Sequence, residues 1–184
     1  MDNVVGKWAL VTGASSGFGI HFATLLAERK ANLVLAARRI EPMEQLATQL
    51  RQKYNVSVVV EGIDLSVRGA AADLKARIDQ RGIQVDILVN NAGYGLYGSF
   101  VEQPLQKITE MLQLNMIALT ELTHAFAKDM VERRTGHLLL VASLLGYQGR
   151  KMSVVAGLLN KLIIFSFRFA PRRVQGLVMQ MATS

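Results

Sequence analysis

The sequence predicts an α/β fold built on a doubly wound parallel sheet. Short apolar runs alternate with longer segments of helical spacing over about the first 145 of the 184 residues. Strict alternation of strands and helices implies a parallel sheet with helices on both faces. The strand runs are apolar almost throughout, which is typical of strands covered on both sides. We therefore expect residues 1–184 to form a single domain, with a sheet that is truncated after its fifth or sixth strand.

The local pattern supports each element in turn. The predicted strands cover residues 7–12, 32–36, 56–60, 85–89 and 137–141, and the predicted helices cover about 17–30, 42–54, 68–80 and 105–131. Phe18 and Phe22 recur at helical spacing in the first helix. Pro42 suits the first turn of the second helix, because its missing N–H would have no partner there. The long fourth helix is bracketed by Pro104 and Gly136, which marks it as an element of a globular protein.

A glycine-rich turn joins the first strand to the first helix. It has the sequence Thr12-Gly13-Ala14-Ser15-Ser16-Gly17-Phe18-Gly19, with the spacing G-x-x-x-G-x-G. Glycines let a backbone turn sharply and approach a pyrophosphate closely. The following helix presents unpaired N–H groups and a partial positive charge to that anion. Because a merely tight turn would not need three glycines and two serines, the pattern predicts a dinucleotide site on a Rossmann-like sheet.

The end of the second strand indicates which dinucleotide is bound. Sites for NAD usually carry an acidic residue there, which holds the ribose 2′-hydroxyl. This chain has Ala36-Ala37-Arg38-Arg39 instead. Guanidinium groups suit the 2′-phosphate of NADP, because they form fork-like, charge-assisted hydrogen bonds. The sequence therefore favours NADP (NADPH) as the cofactor, with the alternative that one of the two arginines is simply solvated.

Further motifs follow in an order that resembles the short-chain dehydrogenase/reductase family, in its NADP-dependent type. Besides the glycine-rich turn, they are Asp64-Leu65 after the third strand, Asn90-Asn91-Ala92-Gly93 after the fourth, Asn115 in the long helix and Ser143 at the end of the fifth strand. The resemblance covers roughly residues 5–147. It implies an oxidoreductase that transfers hydride between NADP(H) and a small-molecule carbonyl or alcohol substrate.

The resemblance also assigns cofactor contacts. They are Gly13, Ser15, Ser16, Gly17, Phe18 and Gly19 around the pyrophosphate, Asp64 and Leu65 at the adenine, and Asn91, Ala92 and Gly93 where the central sheet borders the cofactor. Asp64 and Asn91 fall at the carboxyl ends of strands, where open α/β sheets bind ligands. From the residues alone, Asn90 and Asn91 have the alternative role of capping strand ends.

The catalytic candidates that the resemblance assigns are Ser143, Asn115 and Lys161. Ser143 resembles the serine that hydrogen-bonds the substrate carbonyl in the family. Asn115 is similar to the helix asparagine that holds a water in the family's proton relay. Asparagine is disfavoured in a helix interior, so Asn115 has either this purpose or a buried structural hydrogen bond. Lys161 matches the family's lysine in position, and a plain surface charge is its equal alternative.

The family's tyrosine is missing from the expected position. The family pattern is Tyr-x-x-x-Lys, a spacing that places both side chains on one helical face. The phenol supplies the proton that the substrate oxygen needs as hydride arrives at the carbonyl carbon. Four residues before Lys161 this chain has Gly157, and no tyrosine follows Tyr147. The alternative to an enzyme is therefore a catalytically inactive NADP-binding module or a fragment.

The charge balance changes near residue 148. Residues 148–184 contain six basic residues and no acidic one, so they account for nearly all of the net charge of +7. Three explanations fit this basic tail: a shifted reading frame near codon 149, an error in the tail sequence, or a genuinely shortened family member with another role. Binding of the tail to a membrane surface or a nucleic acid is a weaker hypothesis, because its phenylalanines recur with the period of a strand.

Composition excludes several other classes of protein. There is no cysteine, which excludes disulfides and Cys-ligated zinc, and the three histidines lack metal-ligand spacing, so no metal site is expected. The start of the chain lacks a signal-peptide pattern, and no uncharged apolar run of about 18 residues exists. We expect a cytoplasmic protein with no membrane span and no nucleic-acid partner. Family members commonly pair through their long helices, which implies a homo-oligomer.

Overall fold

The computed structural model describes residues 4–142. Five strands and five α-helices occur within this range, together with one 3-10 turn and one π-helical segment. Ser143, Tyr147, Gly157 and Lys161 lie outside the described residues, as does the basic tail.

The elements follow the predicted alternation. In chain order they are β1 (Trp8–Thr12), α1 (Phe18–Glu28), β2 (Asn32–Ala37), α2 (Ile40–Tyr54), β3 (Val58–Gly62), α3 (Ala70–Gln80), β4 (Val85–Asn90), a 3-10 turn (Phe100–Glu102), α4 (Leu105–Leu112), a π-helical segment (Gln113–Ala118), α5 (Leu119–Glu132) and β5 (His137–Leu140). Two details differ from the sequence-based expectation. β3 begins and ends two residues later than predicted, and the single long helix is divided by the π-helical segment.

All neighbouring strands of the sheet run parallel, in the order β3-β2-β1-β4-β5. From β1 the chain first builds outward through β2 and β3, and then crosses back to place β4 and β5 on the other side. The loops that follow β1 and β4 therefore leave the sheet in opposite directions. A crevice forms between such loops at the carboxyl edge of the sheet, where open α/β folds bind ligands.

Helices cover both faces of this sheet. Alternate residues of each strand point to opposite faces, so Val11 and Leu35 pack with α1 and α2, whereas Leu10 and Leu88 pack with α3 and α5. All four of these strand side chains are buried. The double covering explains why the strands lack an alternation of polar and apolar residues. The predicted α/β, doubly wound, Rossmann-like sheet is confirmed.

Small residues form the buried face of α1. Gly19, Ala23 and Ala27 are buried, whereas Phe18 at the start of the helix is 71% exposed. The large apolar residues that indicated the helix in the sequence are therefore not the ones that contact the sheet most closely. A face of glycine and alanine lets the start of α1 approach the turn after β1 closely.

Within residues 4–142, no helix has both the length and the apolar character that crossing a lipid bilayer requires.

Candidate functional site

The hydroxyl of Thr12 joins the loops after β1 and β4. Its Oγ1 accepts the backbone N–H groups of Asn91 and Ala92, both at 2.9 Å, and donates to the Val89 carbonyl at 3.4 Å. The Asn91 side chain completes the connection, because its Nδ2 donates to the Thr12 carbonyl at 2.9 Å. Thr12 is fully buried, so these bonds are protected from water. The two loops that border the crevice are thereby fixed relative to each other.

Gly13 and Gly19 leave no room for a side chain. A Cβ at Gly13 would lie 2.9 Å from Asn91 Nδ2 and 3.0 Å from Ala92 Cα, and the φ of Gly13 is +69°. A Cβ at Gly19 would lie 2.2 Å from the Gly13 carbonyl oxygen. Gly13 therefore permits contact between the two loops, and Gly19 permits close packing of α1 on the turn. These two glycines are therefore needed for contacts within the protein rather than for contact with a ligand.

Gly17 differs, because its surroundings are open. It has φ +54° and ψ −135°, a conformation available essentially to glycine alone, and nothing lies within 4 Å of where its Cβ would be. Gly17 is the N-cap residue of α1 and carries no capping side chain, so the N–H groups of the first turn are available to an anion. Ser16 and Phe18 are exposed on either side of Gly17. At Gly17 the turn therefore presents backbone atoms to solvent, with no side chain over them.

The ends of β2 and β3 add charged groups next to this turn. Arg39 Nη2 donates to the Ser15 carbonyl at 3.3 Å, so this arginine lies against the glycine-rich turn. Arg38 Nη1 lies 3.9 Å from Asp64 Oδ2, and the two side chains are 64% and 40% exposed. The Asp64 carboxylate also accepts from the backbone N–H and hydroxyl of Ser66. Arg39 thus contacts the glycine-rich turn, whereas Arg38 pairs with Asp64. The role predicted for the two arginines at a 2′-phosphate stays a prediction.

Leu65 and Asn90 have their side chains turned away from the crevice. Leu65 is 4% exposed and packs in the core with α3, so only its backbone is available to a ligand. Asn90 is 3% exposed, and its Nδ2 donates to the Leu119 carbonyl at 3.0 Å and to Thr123 Oγ1 at 3.1 Å. Asn90 therefore ties the end of β4 to the start of α5. Of the two roles open to it from sequence, the side chain takes the structural one.

Asn115 lies in the π-helical segment and supports the loop after β4. Its Nδ2 donates to the Tyr94 carbonyl at 2.8 Å, and its Oδ1 accepts the Tyr94 N–H at 3.1 Å. The Asn115 amide thus pairs with both backbone groups of Tyr94, as the backbone of a neighbouring strand would. A Cβ at Gly93 would lie 3.0 Å from Asn115 Oδ1, so Gly93 makes room for this pairing. π-Helical segments are rare and often mark functional sites. The water-holding role predicted for Asn115 stays a prediction.

The arrangement fits a dinucleotide cofactor on structural grounds. Gly17 offers an open backbone at a helix N-terminus, and Arg38 and Arg39 supply cations on one side of it. Sequence reasoning assigned no role to Thr12, whose hydroxyl holds the two loops, or to Tyr94 as the partner of Asn115. The only signal for Thr12 was its position as a polar residue at the end of an apolar strand. Among residues 4–142, no three His, Asp or Glu side chains are grouped to hold a metal ion.

Comparisons with known proteins identify the family of this chain. The sequence model of the short chain dehydrogenase family matches residues 7–155, so the match begins two residues later and ends eight residues later than the 5–147 span expected from the motifs. The very-long-chain 3-oxoacyl-CoA reductase of Laccaria bicolor is 32% identical over 143 residues, which are 77% of this chain and 42% of that protein.

Two solved structures are similar in both sequence and fold. A short-chain dehydrogenase from Sphingobium yanoikuyae, in complex with NADPH, is 35% identical with a TM-score of 0.72, over 77% of this chain and 55% of that one. The bulky-bulky ketone specific alcohol dehydrogenase from Comamonas testosteroni is 36% identical with a TM-score of 0.72, over 77% and 56%. This chain thus spans about half the length of these relatives. Since the family model matches most of the chain, the protein belongs to the short-chain dehydrogenase/reductase family.

Proposed function

We propose that the protein is an NADP-dependent oxidoreductase that acts on a carbonyl or alcohol substrate. The observation that carries the proposal is the pair of arginines, Arg38 and Arg39, beside the bare N-terminus of α1. The NADPH complex of the Sphingobium relative supports the choice of cofactor. When bound, NADP(H) supplies or accepts the hydride.

The residues of this chain bind and orient the cofactor. The backbone around Gly17 and the first turn of α1 hold the pyrophosphate. Arg38 and Arg39 hold the 2′-phosphate, since guanidinium groups bind phosphate oxygens through two parallel hydrogen bonds. Asn115 fixes the loop after β4 through Tyr94, and Thr12 fixes the same loop to the glycine-rich turn. The site is thereby shaped before the cofactor arrives, which reduces the entropy lost on binding.

A comparison of two glycines tests the cofactor site. Gly17 and Gly69 are the N-cap residues of α1 and α3, both have positive φ, and neither has an atom within 4 Å of its Cβ position. Gly17→Ala and Gly69→Ala should both cost about 1–3 kcal/mol of stability, and Gly17→Ala the larger part of that range, because Gly69 has the left-handed conformation (ψ −9°) and Gly17 (ψ −135°) does not. NADPH binding, measured by calorimetry, should weaken at least about 10-fold in Gly17→Ala alone. Equal NADPH affinity in the two variants would contradict the proposed site.

Turnover needs a separate test, because the chain has Gly157 where the family pattern has its tyrosine. Loss of a general acid costs about 10²–10⁴-fold in rate. This observation favours a second candidate function, a catalytically inactive NADP-binding module. NADPH oxidation should be followed by absorbance with a panel of ketones and aldehydes. Turnover above that of Asn115→Ala supports the enzyme, whereas tight NADPH binding without turnover supports the module.

Pairing through the long helix is part of the proposal. α4 has no buried residue, and Leu105, Leu112 and Met116 are 76%, 44% and 58% exposed along α4 and the segment that follows it. Exposed apolar surface of this kind is typical of a protein–protein contact. We expect a cytoplasmic homo-oligomer that dissociates when Leu112 is replaced by Glu. Sedimentation equilibrium of the full chain and of Leu112→Glu tests this, and a monomeric unmodified chain contradicts it.

A further inference from the structure

Glu61 is a buried acid close to the adenosine side of the site. It lies in β3 and is 4% exposed, three residues before Asp64. Its Oε1 accepts Arg81 Nε at 2.8 Å, and its Oε2 lies 3.8 Å from Arg77 Nη1. Glu61 is the buried member of these pairs, since Arg77 and Arg81 are 42% and 52% exposed, and a buried carboxylate that loses its partners is strongly destabilising. Glu61 therefore requires its two arginines, which hold the C-terminal half of α3 against the end of β3.

The same cluster reaches the backbone that leads into the site. Arg77 Nη1 donates to the Gly62 carbonyl at 3.3 Å, so one guanidinium contacts both Glu61 and the residue after it. The exposed side of Arg77 is bound by Asp73, whose hydrogen bonds raise the pKa of Arg77 above its usual value. Like any arginine in a protein, Arg77 keeps its positive charge. The end of β3 is held by a fixed charge on the neighbouring helix.

From the end of β3 the contacts continue to the turn that carries the two arginines of the site. The Ile63 N–H donates to the Ala37 carbonyl at 3.0 Å. The Ile40 side chain occupies the space beside Gly62, where a Cβ would lie 2.6 Å from Ile40 Cδ1. Arg38 and Arg39 lie between Ala37 and Ile40 in the sequence. Both ends of the Arg38–Arg39 turn therefore rest on Gly62 and Ile63, the residues that follow Glu61.

Stability alone gives a weak reason for this buried charge. Replacing a buried ion pair with apolar residues of similar volume is often neutral or even stabilising. An ion pair with charge-assisted hydrogen bonds also fixes the orientation of the groups that it joins, which apolar packing does less well. The cluster lies under one end of the cofactor site, and its contacts run to the Arg38–Arg39 turn.

We propose that Glu61, acting through Arg77 and Arg81, is a positioning residue for the preference of this protein for the phosphorylated cofactor. It holds the Arg38–Arg39 turn so that the guanidinium groups are directed at the 2′-phosphate. The inference rests on the proposed use of NADP(H). It adds a specificity-determining residue that does not itself touch the cofactor.

The test is the ratio of two affinities in Glu61→Gln. This variant keeps the shape and the acceptor for Arg81 but removes the charge. We expect NADPH affinity to fall about 10-fold and NADH affinity to change less than about 2-fold, because NADH has no 2′-phosphate to position. Asp79→Asn is the matched control, because it also removes one negative charge from an ion pair of α3, the pair with Lys75. The control should leave the ratio of affinities unchanged.

The outcomes separate this inference from the proposed function. An unmodified chain that fails to bind NADPH overturns the proposed function, and the inference with it, before any variant is made. Binding by the unmodified chain with an equal loss of both cofactors in Glu61→Gln, or with no loss, overturns the inference alone. If circular dichroism shows that Glu61→Gln is unfolded, Arg81→Gln carries the test, because it leaves Glu61 paired with Arg77. The same fall in the ratio is expected in Arg81→Gln, and an unchanged ratio there overturns the inference.

Discussion

The two sides of the crevice are built by different kinds of interaction. At the ends of β1 and β4, the buried hydroxyl of Thr12 and the amide of Asn91 make neutral hydrogen bonds between two loops. After the ends of β2 and β3, Arg38 and Asp64 are in contact with solvent and interact through charge. Buried neutral bonds set a shape that suits any dinucleotide, whereas exposed charges distinguish one dinucleotide from another.

The largest effect is expected from adding a methyl group between the two loops. Gly13→Ala places a Cβ against Asn91 and Ala92 at positive φ, which should cost about 3 kcal/mol or more of unfolding free energy and abolish binding of both cofactors. Gly6→Ala is the matched control, since Gly6 has φ +74° and nothing within 4 Å of its Cβ position. The control should lose about 1 kcal/mol in urea unfolding. Equal losses in the two variants would show that the loops do not need this close approach.

A smaller loss is expected when the link itself is removed. Thr12→Val keeps the shape but leaves the N–H groups of Asn91 and Ala92 without an acceptor, which should cost about 2–4 kcal/mol. In the control Thr24→Val, the lost hydroxyl donates to the Ile20 carbonyl, which keeps its backbone hydrogen bond within the helix. The loss of unfolding free energy should therefore be less than about 1 kcal/mol. Chemical denaturation measures both values. Similar values for the two variants would contradict the role of Thr12.

The two arginines should behave differently from each other. Arg38→Gln should weaken NADPH binding at least about 10-fold and change NADH binding little, because NADH has no 2′-phosphate and the pair of Arg38 with Asp64 is long and solvent-exposed. Arg39 also holds the Ser15 carbonyl, so Arg39→Gln should weaken binding of both cofactors. Titration of each variant with NADPH and NADH provides the comparison. If the two variants show the same changes in NADPH and NADH affinity, the separate role of Arg39 at Ser15 is contradicted.

The smallest effect is expected from salt. Exposed charges are screened by ions, so raising the salt from about 50 mM to about 500 mM should weaken NADPH binding a few-fold more than NADH binding. The doubly substituted chain Arg38→Gln, Arg39→Gln should lose this difference. Parallel salt dependence of the two cofactors in the unmodified chain would argue against charge as the basis of selectivity.

Elements whose signals are local were predictable from the sequence. The glycine-rich turn and the alternation of apolar strands with amphipathic helices indicated the parallel sheet, because backbone conformation and burial act over a few residues at a time. The π-helical segment around Asn115 was not predictable, since it interrupts an otherwise regular helical pattern. The same holds for the fully buried face of α1, which Gly19, Ala23 and Ala27 form while Phe22 is only partly buried.

The sequence by itself determined the fold class, the position of the glycine-rich turn and the basic residues after β2. Only the tertiary structure decided which groups meet: Thr12 with Asn91, Asn115 with Tyr94, and Glu61 with Arg77 and Arg81. The partners of Thr12 and of Asn115 are about 80 and 21 residues away along the chain. Such pairs depend on strand order and on how the helices cross the sheet, and no short window of sequence records either.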